Sequence, residues 1–312
     1  MHADRLAHIK WFTDPTVHPT DWSLLFSGPV IIAFALALGA VAVAYLIQHR
    51  LPEPKVVKLL ERFAGIAPTV LGLHVGIALF AAALLGILFS PNLRPNGDPL
   101  GYAILVVEAM CGAMILVGLA TRAAAILLAL LGIVAMQPFS VESIVENVHI
   151  LGIALFFFIV GRGPFSLDRI RGARPPIRRD EAPAWALGLL RVCLGAGIAF
   201  NALTEKLLDP GLAQSLLDAK PFLNIVRPFG IADPQFVYLA GLTELVIGAV
   251  ILSGNLTRPV IAVGAILFTL TLPLFGWTEL LGHLTAYGIM FVLFMAPNAN
   301  SWRVKRQLRP AA

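Results

Sequence analysis

EAMCGAMILVGLATR at residues 108–122 and ELVIGAVILSGNLTR at residues 244–258 are two copies of one pattern, Glu-x3-Gly-x5-Gly-x2-Thr-Arg. Glu108, Gly112, Gly118, Thr121 and Arg122 align with Glu244, Gly248, Gly254, Thr257 and Arg258 at a constant offset of 136 residues. Five identities at identical spacing inside apolar sequence indicate an internal duplication, and a duplication sets the architecture before any single helix is read. Each copy also places a carboxylate inside a run apolar enough for a membrane, where an ionisable side chain is costly and has to be accounted for.

The composition around these copies decides the class. Of the 312 residues, 58% are hydrophobic and only 13% are charged, against about 25% charged in an ordinary soluble domain. With a mean hydropathy of +0.83, the chain reads as an all-α, polytopic integral membrane protein. The net charge of +5 then reflects topology, and a nucleic-acid partner is not expected. Cys111 and Cys193 both lie in apolar segments, so they form neither a disulfide framework nor a CxxC motif and read as small core residues.

Nine apolar runs are expected to be transmembrane helices, at about 28–47, 66–89, 102–119, 123–138, 147–161, 185–203, 235–253, 258–276 and 280–296. The first resembles a signal peptide only in its Ala-Val-Ala at 42–44. The mixed-charge tail before it argues for an uncleaved span, with Trp11, Phe12 and Trp22 suited to an interface. Residues 1–65 then hold the tail, a leading helix and a loop. Two tandem four-helix bundles follow at 66–170 and 185–312, the second including a basic tail, joined by a basic linker at 171–184. Lys and Arg are divided sixteen to six between alternate loops, which predicts the N-terminus outside and the C-terminus in the cytoplasm. Both units then begin on the same side, making this a parallel repeat, unlike the inverted repeats of rocking transporters.

The chemistry-bearing residues gather towards the outer end. Glu108 and Glu244 are expected roughly 10 Å inside their helices, and the Arg fourteen positions on lies about 21 Å away, too far to pair with either. Two roles are open to each Glu: a packing clasp bonded to a neighbouring helix, or a member of a polar pocket. Gly112 and Gly248 share the glutamates' helix faces and permit a close neighbour. Glu146 and His149 stand three apart, and Glu279 and His283 four apart, each pair on one helix face. Glu205, Lys206 and Asp209 end the second unit's first helix. Two outward pockets are therefore expected, Glu108 with Glu146 and His149, and Glu244 with Glu279, His283 and Lys206. In the second, Glu244 is expected to touch Lys206 or His283, since a buried carboxylate ionises only beside an opposite charge. Arg191 is expected to snorkel, and His74 to sit in a helix contact beside Gly72 and Gly76. No haem is expected, because within a unit the histidines fall at different depths; only His149 and His283 could meet across units. No metal-ligand cluster appears in the sequence.

These residues resemble the DoxX/DoxD family of small four-helix membrane proteins, which carry a Glu in the second helix followed by G-x5-G-x2-T-R. Gly161-Arg-Gly-Pro-Phe-Ser166-Leu-Asp168 is similar to that family's closing motif, and Lys206-Leu-Leu-Asp-Pro210 to its first-helix ending. The likeness covers most of 66–300 as two fused copies. The second copy ends Ala-Pro-Asn-Ala-Asn without the closing motif, and the first lacks the Lys-Leu-x-Asp-Pro element. The resemblance implies a subunit of a quinone-linked redox system in the bacterial inner membrane. A quinone would be the cofactor, Glu244 and His283 the acid and base, and Glu108, Glu146, His149, Lys206 and Glu279 the binding residues. The alternative is a non-catalytic anchor or assembly partner of a respiratory or redox complex; a transporter or lipid-binding protein is a third reading. Both leading readings imply a protein partner in the bilayer.

The topology is checked by cysteine labelling in intact cells. A cysteine at position 98 should react with an impermeant reagent and one at position 174 should not; labelling at 174 would refute the assigned orientation.

Overall fold

The computed structural model describes residues 19–48, 50, 54–173 and 182–296. Trp11, Phe12, most of the basic linker and the C-terminal tail lie outside the described residues. The long helices are α1 (Gly28–Ile47), α2 (Ala67–Leu84), α3 (Pro99–Val117), α4 (Thr121–Ala135), α5 (Val148–Val160), α6 (Ala184–Ala202), α7 (Pro210–Ala219), α8 (Asp233–Ser253), α9 (Thr257–Phe275) and α10 (Trp277–Met295). No strand occurs among the described residues. Seven helical stretches are long and apolar enough to cross a membrane; α4 and α5, of 15 and 13 residues, are apolar but shorter. The protein is an all-helical, multi-pass membrane protein, with its exposed leucines, isoleucines and valines suited to lipid.

Local chemistry sets the helix ends. Asp98 accepts a hydrogen bond from the Gly101 amide at 2.7 Å and precedes Pro99, so α3 starts there. Both copies of the repeated motif then end in the same turn. Gly118 and Gly254 adopt φ of +69° and +77°, and two residues later Ala120 and Leu256 both stand at φ +46°. Left-handed backbone at a non-glycine residue is uncommon, so its recurrence at the repeat offset marks one inherited turn.

Packing departs from the expected pair of self-contained bundles. Within each unit the first helix packs on the Glu-bearing helix, α2 on α3 and α6 on α8. The closing helices are exchanged: α5 packs on α6 of the other unit, and α10 on α2. Small residues permit this. A Cβ on Gly152 of α5 would stand 2.8 Å from Cys193 Cβ, and one on Gly288 of α10 would stand 2.9 Å from a Leu71 methyl and 3.1 Å from His74 Cβ. Gly152 and Gly288 are again 136 residues apart. The motif glycines act likewise, since a Cβ on Gly112 would lie 2.7 Å from Phe80 N and one on Gly248 2.6 Å from Ala199 N. Leading helix α1 adds to the outside of α8.

The arginines carry more than topology. Arg191 does not snorkel; it is 1% exposed, and its guanidinium donates to the carbonyls of Ile251 and Leu252 at 3.0 and 2.9 Å. Those carbonyls end α8, where the unpaired C=O groups and helix dipole attract a cation. In the first unit the equivalent carbonyls, Ile115 and Leu116, accept from Arg162 at 3.2 and 2.6 Å. Arg162 comes from the closing motif rather than from the first helix, and it lies over Gly72, whose Cβ would meet it at 2.9 Å. Superposing the glycine contacts of α2 on those of α6 (Gly76 on Gly195) puts Gly72 at the place of Arg191. One unit therefore supplies the cation from its end and keeps a glycine to admit it; the other, lacking the closing motif, supplies it from the helix itself. Asp168 completes the first unit's closure by accepting from Ala120 N, Thr121 N and Thr121 Oγ1 at 2.6, 2.8 and 2.8 Å. Thr257 Oγ1, the counterpart in the second unit, is buried with no partner among the described residues. Arg258 is also buried, pairing with Glu61 at 2.8 Å.

This equivalence is testable. Arg162→Ala should lower stability by about 2–4 kcal/mol, since it strands carbonyls that a charged donor satisfied. Gly72→Arg alone should also destabilise, by colliding with Arg162. The double variant Gly72→Arg/Arg162→Ala should recover most of the loss, read by thermal unfolding in detergent; additive losses would refute the equivalence.

Candidate functional site

The carboxylates of the repeat receive different partners from the same position. Glu108 is fully buried nine residues into α3, about 14 Å along the helix, and Glu244 lies eleven residues into α8, about 17 Å along it. Both are deeper than expected because the helices begin earlier than the apolar runs. In the first unit α2 ends at Leu84, and the chain turns through Gly86 and Phe89, with φ of +71° and +60°. That turn points the Phe89 amide at Glu108 Oε1, 2.7 Å away, while Glu108 Oε2 has no hydrogen-bond partner. Glu108 is thus a clasp on the loop after α2.

In the second unit α6 runs on into a π-helical turn, Leu203–Leu207, closed by Leu208 N to Leu203 O at 2.8 Å. The extra residue in such a turn re-aims the side chains beyond it. Lys206 Nζ stands 2.7 Å from Glu244 Oε2, with the two side chains 12% and 32% exposed. This is the pairing expected for Glu244. A lysine ammonium in one unit and a backbone amide in the other meet the same carboxylate.

A cavity lies between the units. It is lined by Glu146, Asn147 and His149 from the first unit, by Asn201 and Glu205 at the end of α6, and by His283 of α10, with Phe89 and Phe268 among its apolar walls. This chamber draws residues from both of the outward pockets expected from the sequence, Glu146 and His149 from one and His283 from the other. Glu146, His149 and His283 line it; Glu108, Lys206, Glu244 and Glu279 do not. Glu146 and His149 also do not share one continuous helix. The chain breaks at Asn147, between the short helix Val141–Glu146 and α5, and Asn147 Nδ2 donates to Ser143 O at 2.9 Å.

Each histidine has a distinct setting. His149 Nε2 lies 3.0 Å from Thr285 Oγ1, its counterpart at the repeat offset. That contact bridges the two units. His283 stacks on Phe268, with ring centroids 4.3 Å apart and planes at 18°, and its Nδ1 is 3.5 Å from Glu279 Oε1. Glu279 itself is buried and does not line the cavity. His74 bonds the Val70 carbonyl at 2.8 Å and takes no part in this chamber. Among the described residues no group of three or more His, Cys, Asp or Glu could hold a metal ion.

Asn147, Asn201, Phe89, Phe268 and Thr285 escaped the sequence reading. Two signals were present: Asn201 lies four residues before Glu205 in an apolar helix, and Thr285 lies 136 residues after His149. Compared with known proteins, the chain matches no family model, no curated protein and no solved structure.

The two carboxylates are separated by their substitutions. Glu108→Gln should be nearly neutral, because the amide oxygen still accepts from Phe89 N, whereas Glu108→Ala should cost about 1–3 kcal/mol by orphaning that buried donor. Lys206→Met should be more damaging than the double variant Lys206→Met/Glu244→Leu, which removes both charges together. Thermal unfolding of the four purified variants checks both orderings.

Proposed function

We propose that this chain is a DoxX/DoxD-like subunit of a quinone-linked redox system in the bacterial inner membrane, with its N-terminus outside. It crosses the membrane nine times: the seven long apolar stretches together with α4 and α5. The observation that carries this reading is the inter-unit cavity, where two histidines, two carboxylates and three asparagines meet aromatic walls inside an apolar protein. Such a combination of apolar lining with a few convergent polar groups is what a small-molecule site requires.

The residues fit a quinone headgroup. Asn201 Oδ1 is buried with no hydrogen-bond partner, so a ligand hydroxyl can donate to it. His283, held by its stack on Phe268, presents the second polar contact, and Glu146 and Glu205 line the same cavity. A quinone, when bound, would supply two-electron redox chemistry there. The protein's own part is to orient the ring, exclude water and hold protons at His283 and the carboxylates. Electrons arrive from a substrate or a protein partner in the membrane.

A second reading is a non-catalytic anchor or assembly partner of a respiratory complex. It is favoured by the first unit, where Glu108 is spent on the Phe89 amide and His149 on Thr285. Solvent extraction of the purified protein separates the two. The redox reading expects co-purifying quinone, reduced about tenfold or more in Asn201→Leu or His283→Leu, a loss comparable to removing one charged or neutral hydrogen bond. Unaltered lipid content with no quinone in the wild type would leave the anchor reading.

A further inference from the structure

The segment that leads into α2 is too long to be part of the span. Lys55–Leu60 is helical and passes through a tighter 3-10 turn, Glu61–Ile66, directly into α2, so that 30 residues from Lys55 to Leu84 form one helical stretch. At 1.5 Å per residue that stretch is about 45 Å long, against a hydrocarbon core of about 30 Å. The 18 residues of α2 alone cover about 27 Å. Lys55–Ile66 therefore lies at the membrane surface. Glu61 fixes which surface: its Oε1 accepts from Arg258 Nη2 at 2.8 Å, and Arg258 sits in the first turn of α9, just past the end of α8.

Two series of side chains share one spacing along this segment. Val56, Leu59 and Phe63 recur at i, i+3 and i+7 and are 59%, 52% and 41% exposed. Lys55, Lys58 and Arg62 repeat the series one residue earlier, about 100° round the helix, and are exposed as well. Arg62 lies over the Phe63 ring at 4.7 Å, where the charged and apolar series meet. Val57 and Glu61 take the opposite side, Val57 buried and Glu61 paired with Arg258. Glu61 is the one carboxylate between positions 55 and 66, so the exposed charge of the segment is all positive. The apolar series runs on into α2 with exposed Leu73, Ile77 and Phe80, which joins it to the lipid-facing side of a spanning helix.

We propose that Lys55–Ile66 is an interfacial helix that binds anionic phospholipid headgroups. Val56, Leu59 and Phe63 enter the acyl boundary, and Lys55, Lys58 and Arg62 hold the phosphates. The occupant follows from position and charge together. A bilayer is already present along α2, and an apolar stripe flanked by cations is what an anionic lipid surface attracts. The Glu61–Arg258 pair ties this contact to the turn that closes the second copy of the repeated motif. The proposal rests on the membrane class alone and is independent of the quinone reading.

Native mass spectrometry of the full-length protein in detergent, titrated with phosphatidylglycerol or phosphatidylcholine, tests it. The wild type should retain phosphatidylglycerol at about tenfold lower lipid concentration or less, and the preference should shrink as ammonium acetate is raised. Lys55→Gln/Lys58→Gln/Arg62→Gln should abolish the preference, whereas Lys55→Arg/Lys58→Arg should keep it. Arg94→Gln, which removes an exposed cation from the loop at the other end of α2, should leave it unchanged. Equal retention of the two lipids by the wild type, or a preference that survives the triple glutamine variant, would overturn the proposal. Loss in the arginine variant too would assign the effect to disturbed packing and overturn it. A dimer that the glutamine variant dissolves, with lipid retention unaltered, would give the face to a second copy of the chain and overturn it as well.

Discussion

A carboxylate inside an apolar helix must be met by a donor, and this protein meets that demand twice from one inherited position. Glu108 is closed by the Phe89 amide and Glu244 by the Lys206 ammonium. Each solution dictates how the preceding helix ends. For Glu108, α2 stops and the chain turns through left-handed backbone to aim an N–H inward. For Glu244, α6 continues through a π-helical turn that sends Lys206 to α8 and leaves Glu205 on the cavity. The chemical asymmetry follows from this one divergence: a neutral donor makes the first carboxylate a clasp on a loop, and a charged donor makes the second half of an ion pair.

The same trade recurs at the opposite end of the Glu-bearing helices. Terminal carbonyls there require a cation, and Arg162 or Arg191 supplies it from different parts of the chain. Gly72 is small where Arg191 is large, so the volume is filled once in each unit. Duplicated units can lose a motif in one copy when another residue satisfies the same backbone groups, because what is conserved physically is the hydrogen bond and not its donor. The missing closing motif of the second unit is explained on those terms.

Exchange of the closing helices creates the space between the units. Because α5 leans on α6 and α10 on α2, the His149 and His283 ends of helices from both halves converge. His149 and Thr285, equivalent positions of the repeat, touch each other there. A single unit could not build this chamber, since its walls come from both.

The sequence by itself determined the membrane class, the duplication, the need of Glu244 for a cationic partner, Lys206 or His283, and the residue types available for chemistry. These are legible because hydropathy, spacing and the need to neutralise a buried charge are local properties of the chain. Tertiary structure alone decided which carboxylate is a clasp, that His149 meets Thr285 across the two units, and that Arg191 caps carbonyls instead of reaching out of the membrane. It also brought Glu146, His149 and His283 to one cavity and left Glu108, Lys206, Glu244 and Glu279 out of its lining. The physical reason is that repeat spacing records which residues are equivalent, whereas the partner each one meets depends on which helices approach closely. That approach is set by glycines such as Gly152 and Gly288, whose contacts lie 41 and more than 200 residues away along the chain.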